Sequence, residues 1–139
     1  MQQARLLGNM SHCTRRKVGA LICWPDNVLI SDGYNGAPRG GDKLCGGPDT
    51  CSRELLQITS NTRTEVGCHH AEQNAILNAG RTGRSCMGGW MFCTDPPCLA
   101  CARMIHHSGI TKVLLPNNAP ASDGTLYLKQ YGVVIEHLE

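Results

Sequence analysis

Two short motifs, separated by one strand-like segment, restrict this chain more than any other feature of its sequence. The first is His70-Ala71-Glu72, and the second is Pro97-Cys98-Leu99-Ala100-Cys101. One imidazole and two thiolates are three of the four ligands of a tetrahedral zinc ion, and a site with three protein ligands keeps its fourth position open for water. The pattern therefore predicts a catalytic zinc site, and a fold that brings the two motifs together.

The acidic residue of the first motif is predicted to move protons. Glu72 lies two residues after His70, so on one helix the two side chains cannot point at the metal in the same way. Bound zinc lowers the pKa of water to about 7, and a nearby carboxylate can accept the released proton. We therefore expect Glu72 to be the catalytic acid and base, and not a metal ligand.

Each half of the pattern also has a simpler interpretation. A Cys-x-x-Cys motif by itself occurs in redox-active dithiols and as one half of a zinc ribbon, but a ribbon needs a second such pair and the sequence contains none. A histidine on an apolar helix face is most often an ordinary core residue. The combination favours a metal site, and the alternative from another functional class is a zinc-stabilised binding module without catalysis.

Composition excludes several other classes of protein. The length of 139 residues suits one domain, spanning residues 1–139, and a net charge of +2 is too small for a surface that coats nucleic acid. Aromatic residues make up only 4%, which argues against a stacking platform for single strands. No apolar stretch approaches the roughly 18 residues of a membrane span, and we find no signal peptide pattern. Nine cysteines, an odd number, fit reduced thiols better than a disulfide framework, so we expect a cytoplasmic protein.

Strand-like and helix-like segments alternate along most of the chain. Hydrophobic periodicity predicts strands at residues 18–24, 28–33, 89–94, 110–115 and 132–136, and helices at residues 2–10, 69–80, 98–108 and 121–131. Gly80 and Gly109 are predicted to end the second and third helices. This alternation predicts an α/β sheet sandwiched by helices. Both motif cysteines then lie in a first helical turn, where the helix dipole and free N–H groups favour thiolates.

Two irregular segments lie between the second strand and the second helix. Residues 33–41 form a glycine-rich loop in which Tyr34 and Asn35 offer a flat ring and an amide to a ligand, although such a loop can also be a plain connection. Residues 42–67 are polar and weakly patterned, so we interpret them as an insertion with a short helix at 53–58. Long structureless loops are uncommon in compact domains, and this one needs outside support.

A second metal ion is one source of that support. Three further cysteines bracket the insertion and one lies at the end of the first helix, and their thiolates can form a closed structural zinc site: Cys13, Cys45, Cys51 and Cys68. His12 or His69 can replace one of them. The alternative is that these cysteines are unconnected small residues in the interior.

Four motifs, in this order, resemble the deoxycytidylate (dCMP) deaminase family of the cytidine deaminase-like superfamily. They cover nearly the whole chain and read Arg16-Lys17-Val18-Gly19-Ala20, Gly33-Tyr34-Asn35-Gly36-Ala37-Pro38, His70-Ala71-Glu72-Gln73-Asn74-Ala75-Ile76 and Pro97-Cys98-Leu99-Ala100-Cys101. The zinc motifs indicate a deaminase in general, whereas the glycine-rich loop and Asn74 point to dCMP. The resemblance implies a three-layer α/β/α fold, with a five-stranded mixed sheet and helices on both faces.

The resemblance also implies an activity and its partners. The chain would hydrolyse dCMP to dUMP and ammonia and so supply dUMP for thymidylate synthesis, with Glu72 as proton shuttle and catalytic Zn²⁺ bound by His70, Cys98 and Cys101. Members are commonly hexamers that dCTP activates and dTTP inhibits, with the effectors bound away from the zinc. Several members carry a second, structural zinc, which favours the four-cysteine site.

Substrate contacts are implied in the same way. The backbone around Ala71 would contact the base, Asn35 the deoxyribose, and Arg81 matches a family position near the substrate. Pro96 departs from the family, whose members usually have a small polar residue there. A proline keeps its carbonyl, so a backbone acceptor for the leaving amine survives.

Three basic residues before the first strand are candidates to bind the 5′-phosphate, namely Arg15, Arg16 and Lys17. They can equally form an ordinary solvated face. Other activities on this scaffold are deamination of free nucleosides and of adenosine in tRNA. A tRNA enzyme would need a more basic surface than this composition provides.

Overall fold

The strands and helices follow the predicted alternation. The computed structural model describes residues 1–138. Its strands are β1 (Gly19–Cys23), β2 (Leu29–Tyr34), β3 (Trp90–Cys93), β4 (Lys112–Pro116) and β5 (Val134–Leu138). Its helices are α1 (Gln2–Gly8), α2 (Ser52–Leu55), α3 (Ala71–Arg81), α4 (Leu99–His107) and α5 (Asp123–Gln130).

The strands form one mixed sheet in the order β2-β1-β3-β4-β5. Strand β1 pairs antiparallel with β2 and β3, whereas β3, β4 and β5 run parallel. The antiparallel half begins with a hairpin, and Asn27 in its turn has a positive φ of 71°. The predicted α/β class and the five-stranded mixed sheet are confirmed.

Two glycines show that helices cover both faces of this sheet. Gly33 pairs with Ala20, the neighbour of Gly19 in β1, so Gly19 and Gly33 face opposite sides. A Cβ on Gly19 would collide with the backbone of Ala4 in α1, and one on Gly33 would lie 2.5 Å from the backbone N of Ala75 in α3. Helices α1 and α3 therefore pack closely on opposite faces.

Side chains from α3, and from just after it, donate hydrogen bonds to the open edge of β2. An edge strand exposes unpaired carbonyl groups, which side chains must cover. Here three side chains donate to alternate carbonyls of β2, namely Arg84 to Ile30 (3.0 Å), Asn78 to Asp32 (2.9 Å) and Asn74 to Tyr34 (2.8 Å). These bonds fix the position of α3 along the sheet, and with it the position of the residues at the N-terminus of the helix.

The core lies between the sheet and the helices. Its largest buried side chains come from four strands and two helices, and each is at most 2% exposed: Ile22, Ile30, Met91, Ile105, Leu115 and Leu128. Truncating one such side chain to alanine typically costs about 2–5 kcal/mol of stability. The core thus supports a rigid frame for the residues at the sheet edge.

One predicted helix end is wrong and one is confirmed. Helix α3 continues through Gly80 to Arg81, and the left-handed residue that follows it is Gly83 (φ 71°). Gly80 was expected to end the helix, but nothing lies within 4 Å of its missing Cβ and it stays helical. Gly109 (φ 85°) does follow the end of α4. None of the helices in residues 1–138 is long and apolar enough to cross a membrane.

Candidate active site

The predicted motifs meet at one edge of the sheet. Because β1 is antiparallel to both of its neighbours, its first residue lies beside the last residues of β2 and β3. The N–H of Thr94 donates to the carbonyl of Gly19 (3.0 Å), and the N–H of Gly19 donates to Oγ1 of Thr94 (3.1 Å). Helix α4 begins a few residues after this point, so its first turn lies at the same edge.

Three side chains from two helix N-termini form the metal cluster. His70 is the N-cap of α3, and Cys98 is the N-cap of α4, where its Sγ accepts a hydrogen bond from the N–H of Cys101 (3.5 Å). Nδ1 of His70 lies 3.6 Å from Sγ of Cys98 and 3.3 Å from Sγ of Cys101. The three ligand atoms all lie within 4.8 Å of one another, and no other group of three or more His, Cys, Asp or Glu residues within residues 1–138 does so.

The spacing of these atoms fits zinc. Zinc–sulfur bonds of about 2.3 Å and zinc–nitrogen bonds of about 2.0 Å at a tetrahedral angle put sulfur and nitrogen ligands about 3.5 Å apart. The two observed nitrogen–sulfur distances, 3.6 and 3.3 Å, agree with that separation. The cluster supplies three protein ligands, which leaves one tetrahedral position for water or substrate.

The protonation of the two cysteines also fits a cation. A hydrogen bond from the Cys101 thiol, with help from His70, lowers the pKa of Cys98 to about 4 despite its partial burial. The same hydrogen bond and burial raise the pKa of Cys101. These shifts favour a thiolate at Cys98, and a bound cation would favour ionisation of Cys101 as well.

Glu72 lies in the first turn of α3 and is 4% exposed. Burial raises the pKa of its carboxyl to about 7, and the negative charges of Cys98 and Asp95 act in the same direction. Its own backbone N–H and the imidazole of His70 oppose that rise. A carboxyl that titrates near neutral pH can both accept and donate a proton, as the predicted proton shuttle must.

The glycine-rich loop fixes the segment that leads into the metal site. Gly36 and His69 exchange two backbone hydrogen bonds, at 3.1 and 2.8 Å, so the residue before His70 is paired like a short strand. Gln73 accepts a hydrogen bond from the N–H of His70 (3.0 Å). The backbone at His70 is therefore fixed on one side by the pairing of Gly36 with His69 and on the other by the side chain of Gln73.

The amide of Asn35 is used inside the protein. Its Oδ1 accepts from the N–H of Val18 (2.9 Å), and its Nδ2 donates to the carbonyl of Arg16 (2.9 Å) and to Sγ of Cys68 (3.7 Å). Both donor hydrogens are committed, and the residue is 5% exposed. The structure therefore shows Asn35 positioning the entry to β1, while a deoxyribose contact stays a prediction. Tyr34 is partly exposed at the end of β2.

The three basic candidates point to different places. Nε of Arg16 lies 3.5 Å from Oδ2 of Asp95, beside the loop that leads into α4. Arg15 donates instead to the insertion, at the carbonyl of Ile58 (3.3 Å) and Oγ of Ser60 (2.6 Å). Lys17 is exposed. Arg16 therefore lies beside the site, whereas Arg15 contacts the insertion.

Of the remaining candidates, two lie at the site and one does not. Ala71 is the first residue of α3 and is fully buried, and Pro96 lies two residues before Cys98. Arg81 is the last residue of α3, roughly 16 Å from the helix start at 1.5 Å per residue. It lines a cleft at the far end with Arg39 and Arg84, so within one chain it does not reach the metal cluster.

The four cysteines predicted to bind a second zinc lie in one region, but they do not form a closed set of metal ligands. Burial works to raise the pKa of Cys45, but hydrogen bonds from Ser52 and the Cys51 thiol outweigh it and lower that pKa. Burial raises the pKa of Cys68, and the nearby charges of Cys13 and Cys45 add to the rise. These cysteines thus influence one another, but within residues 1–138 no three of their sulfur atoms all lie within 4.8 Å of one another, as the ligand atoms of the metal cluster do. A second zinc site stays a prediction.

Two residues near the site are not among the candidates that the sequence motifs provide. Asp95 approaches Glu72 and Arg16 because it follows β3, a placement that the strand prediction makes accessible. Arg53 belongs to the insertion, and its positive charge acts to lower the pKa of His70. No local pattern marks Arg53, since its position depends on how the insertion folds back.

Comparison with known proteins agrees with this geometry. Residues 1–116 match the family model described as cytidine and deoxycytidylate deaminase zinc-binding region. The deoxycytidylate deaminase of Mycobacterium phage D29 is 36% identical over 115 residues, covering 78% of this chain and 84% of the phage protein. That of Schizosaccharomyces pombe is 35% identical over 121 residues, covering 82% of this chain but 34% of the yeast protein, so the chain spans about a third of that relative.

A solved structure extends the agreement to the fold. The dCMP deaminase of cyanophage S-TIM5, crystallised in complex with dCMP and dUMP, superposes with a TM-score of 0.78 at 32% identity. The match covers 99% of this chain and 92% of the cyanophage chain. Together with the family model and the curated relatives, this similarity shows that the chain belongs to the deoxycytidylate deaminase family of the cytidine deaminase-like zinc enzymes.

Proposed function

We propose that this chain hydrolyses dCMP to dUMP and ammonia, and so supplies dUMP for thymidylate synthesis. The observation that carries the proposal is the buried carboxyl of Glu72, with a pKa of about 7, beside three zinc-type ligands on two helix N-termini. The similarity to a dCMP deaminase crystallised with dCMP and dUMP supports the choice of substrate.

The residues around the cluster can perform each proton transfer. Zinc, when bound by His70, Cys98 and Cys101, supplies Lewis-acid activation of water. Glu72 accepts a proton from the attacking water and gives it to N3 of cytosine while the oxygen bonds to C4. It then takes the remaining proton from the new hydroxyl on C4 and passes it to the amino group, so that the C4–N bond breaks and ammonia leaves as the carbonyl of uracil forms.

Backbone groups at the site are suited to the base and the leaving amine. The N–H of Ala71 belongs to the first turn of α3, where helical N–H groups have no partner within the helix and are free to donate. The carbonyl of Pro97 accepts from Oγ of Ser122 (2.8 Å), whereas that of Pro96 accepts no hydrogen bond within residues 1–138. We assign the Pro96 carbonyl to the leaving amine, in place of a side-chain hydroxyl.

Arg16 is the basic candidate that the structure leaves nearest to the site. Its partner Asp95 is 33% exposed and the pair is open to solvent, so a phosphate can compete for the guanidinium. Arg16→Ala is expected to raise KM for dCMP more than KM for deoxycytidine. Equal shifts for both substrates would show that Arg16 does not contact the phosphate.

The activity itself is tested by substrate choice. Ammonia release by the zinc-loaded full chain is measured with dCMP, dCTP, cytidine and adenosine at equal concentrations. The proposal predicts the highest kcat/KM for dCMP. A preference for cytidine or adenosine would replace it with nucleoside or purine deamination, and no release from any of them would favour a binding module.

We also propose that Cys13, Cys45, Cys51 and Cys68 bind a second, structural zinc, with His12 or His69 as possible substitutes for one ligand. The hydrogen bond between Cys45 and Cys51 and the proximity of Cys13 and Cys45 to Cys68 support this set of ligands. Zinc content is expected to fall from about two ions per chain to about one in Cys45→Ser. An unchanged content in that variant would exclude the site.

Regulation and assembly complete the proposal and depend on the family resemblance. We propose a homo-hexamer, activated by dCTP and inhibited by dTTP at sites away from the zinc, in the cytoplasm, where nine cysteines stay reduced. Sedimentation gives the oligomeric state directly. Initial rates with dCMP in the presence of each nucleotide test the two effectors, and rates that neither nucleotide changes would contradict the regulation.

A further inference from the structure

Two arginines before β1 and two in the insertion are candidates to meet a substrate phosphate, and their partners differ. Arg16 faces Asp95, and Arg63 of the insertion pairs with Asp123 at the start of α5. Arg15 donates to the backbone and a hydroxyl of the insertion. The fourth, Arg53, forms no ion pair within residues 1–138, so no carboxylate neutralises its charge.

The side chain of Arg53 packs against the segment that leads into the metal site. Its Cδ and Cγ lie 3.2 and 3.4 Å from the position that a Cβ on Gly67 would occupy, so its stem packs on the backbone three residues before His70. Gly67 has a φ of 132°, a conformation that favours glycine, and a side chain there would displace the arginine.

The guanidinium of Arg53 is held in place by neutral groups. Its Nη2 donates to the carbonyls of Thr59 (3.0 Å) and Thr62 (3.1 Å), which fold the insertion around it. A guanidinium has five N–H donors in a fixed planar fork, and the remaining ones make no hydrogen bond within residues 1–138. An ordered, un-neutralised fork of this kind suits a phosphate group.

We propose that Arg53 binds the 5′-phosphate of the nucleotide and makes the insertion a part of the substrate site that selects nucleotides over nucleosides. This inference rests on the proposed dCMP deamination for the identity of the ligand. It differs from the sequence prediction, which placed the phosphate only at Arg15, Arg16 and Lys17 before β1. The insertion then supplies a basic side chain opposite that segment, and the phosphate lies between the two.

A purely structural role for Arg53 makes a different prediction. If the side chain only braces Thr59 and Thr62, its loss would loosen the insertion and affect nucleotides and nucleosides alike. A phosphate contact affects only ligands that carry the phosphate. The comparison of a nucleotide with its nucleoside therefore separates the two roles in the same variant.

The experiment measures binding of the product pair dUMP and deoxyuridine to the zinc-loaded full chain by calorimetry, together with KM for dCMP and deoxycytidine. Arg53→Gln keeps much of the side chain and removes the charge, and Arg53→Lys keeps the charge without the fork. Arg103→Gln is the matched control, because Arg103 is exposed on α4 and has no hydrogen bond or ion pair within residues 1–138. Zinc per chain is measured for every variant.

Arg53→Gln is expected to weaken dUMP binding by about tenfold or more and to raise KM for dCMP by a similar factor, with deoxyuridine and deoxycytidine changed less than about twofold. Arg53→Lys should fall between native protein and Arg53→Gln. Equal losses for dUMP and deoxyuridine, or no loss for either, would overturn the proposal.

The same measurements separate this inference from the proposed activity. Native protein that binds dUMP more tightly than deoxyuridine but releases no ammonia from dCMP would contradict the deamination and still test Arg53. Native protein that does not distinguish dUMP from deoxyuridine would contradict the phosphate contact, even if it deaminates dCMP.

Discussion

The two cysteine-containing regions of this protein are organised in different ways. At the metal cluster, Cys98 and Cys101 lie in the first turn of α4, and a paired backbone segment leads into His70. In the insertion, the cysteines lie in loops around a helix of only four residues, and among them Cys51 alone is buried. The first region is positioned by the sheet, whereas the second is held by a few side-chain contacts.

The two regions therefore predict different roles for a bound metal ion. The catalytic ligands already lie at zinc-ligand distances, because helix N-termini and strand ends fix them. The insertion has little core of its own, so a metal there would contribute stability by closing a long loop. We therefore expect loss of the first metal to remove activity and loss of the second to loosen structure.

The largest effect expected is at the metal cluster. Cys101→Ser removes a buried ligand and is expected to reduce dCMP turnover to background, with the loss of one zinc ion per chain. Cys45→Ser should keep measurable turnover but lower the midpoint of thermal unfolding. Zinc analysis, ammonia release and calorimetry of both variants check the contrast, and a Cys45→Ser variant as inactive as Cys101→Ser would break it.

The next effect tests how tightly the sheet positions α3. A Cβ at Gly33 would lie 2.5 Å from the N of Ala75 and 2.7 Å from the O of Ala71, both backbone atoms of that helix. Gly33→Ala is therefore expected to cost about 1–3 kcal/mol or more of stability and to lower kcat by displacing His70.

The matched control for that change is Gly36, which lies three residues further along the chain, after the end of β2. Gly36 has no atom within 4 Å of a built Cβ, so Gly36→Ala should change stability by less than about 0.5 kcal/mol. Urea unfolding of the two variants provides the comparison. Similar stability losses in both would mean that the contact between α3 and β2 does not set the position of the helix.

The smallest effects concern the contacts that hold the insertion. Arg15→Gln removes hydrogen bonds to Ile58 and Ser60 and is expected to cost about 1 kcal/mol and to speed hydrogen exchange at residues 52–62. Arg63→Gln removes an ion pair with Asp123 whose side chains are 73% and 60% exposed, so it should cost less than about 0.5 kcal/mol. Faster exchange in Arg63→Gln than in Arg15→Gln would reverse this ranking of the contacts.

Local patterns predicted the elements of the fold, because each strand and helix carries its own hydrophobic period. The two motifs also predicted that His70, Cys98 and Cys101 come together, since zinc chemistry demands it. The end of α3 was predicted wrongly at Gly80, because a glycine inside a helix and one that ends it look alike without the neighbouring contacts. Gly83 has the left-handed conformation that was expected at Gly80.

Long-range contacts account for what the sequence did not reveal. The pairing of Gly36 with His69 joins residues that are far apart in the chain, and the amide of Asn35 is occupied by Val18 and Arg16. The distance of Arg81 from the cluster follows from the length and direction of α3, which depend on tertiary packing. The position of Arg53 depends on the irregular fold of the insertion, which has no periodic pattern.

We propose that Glu72 transfers protons at a zinc site that it does not help to form. The direct test is Glu72→Gln, with zinc per chain and ammonia release from dCMP measured on the same preparation. The account predicts unchanged zinc content and a fall in kcat of at least about 10²- to 10⁴-fold, the usual contribution of a general acid and base, with a larger fall expected because the group acts twice. Zinc lost together with activity, or turnover close to that of the native protein, would contradict it.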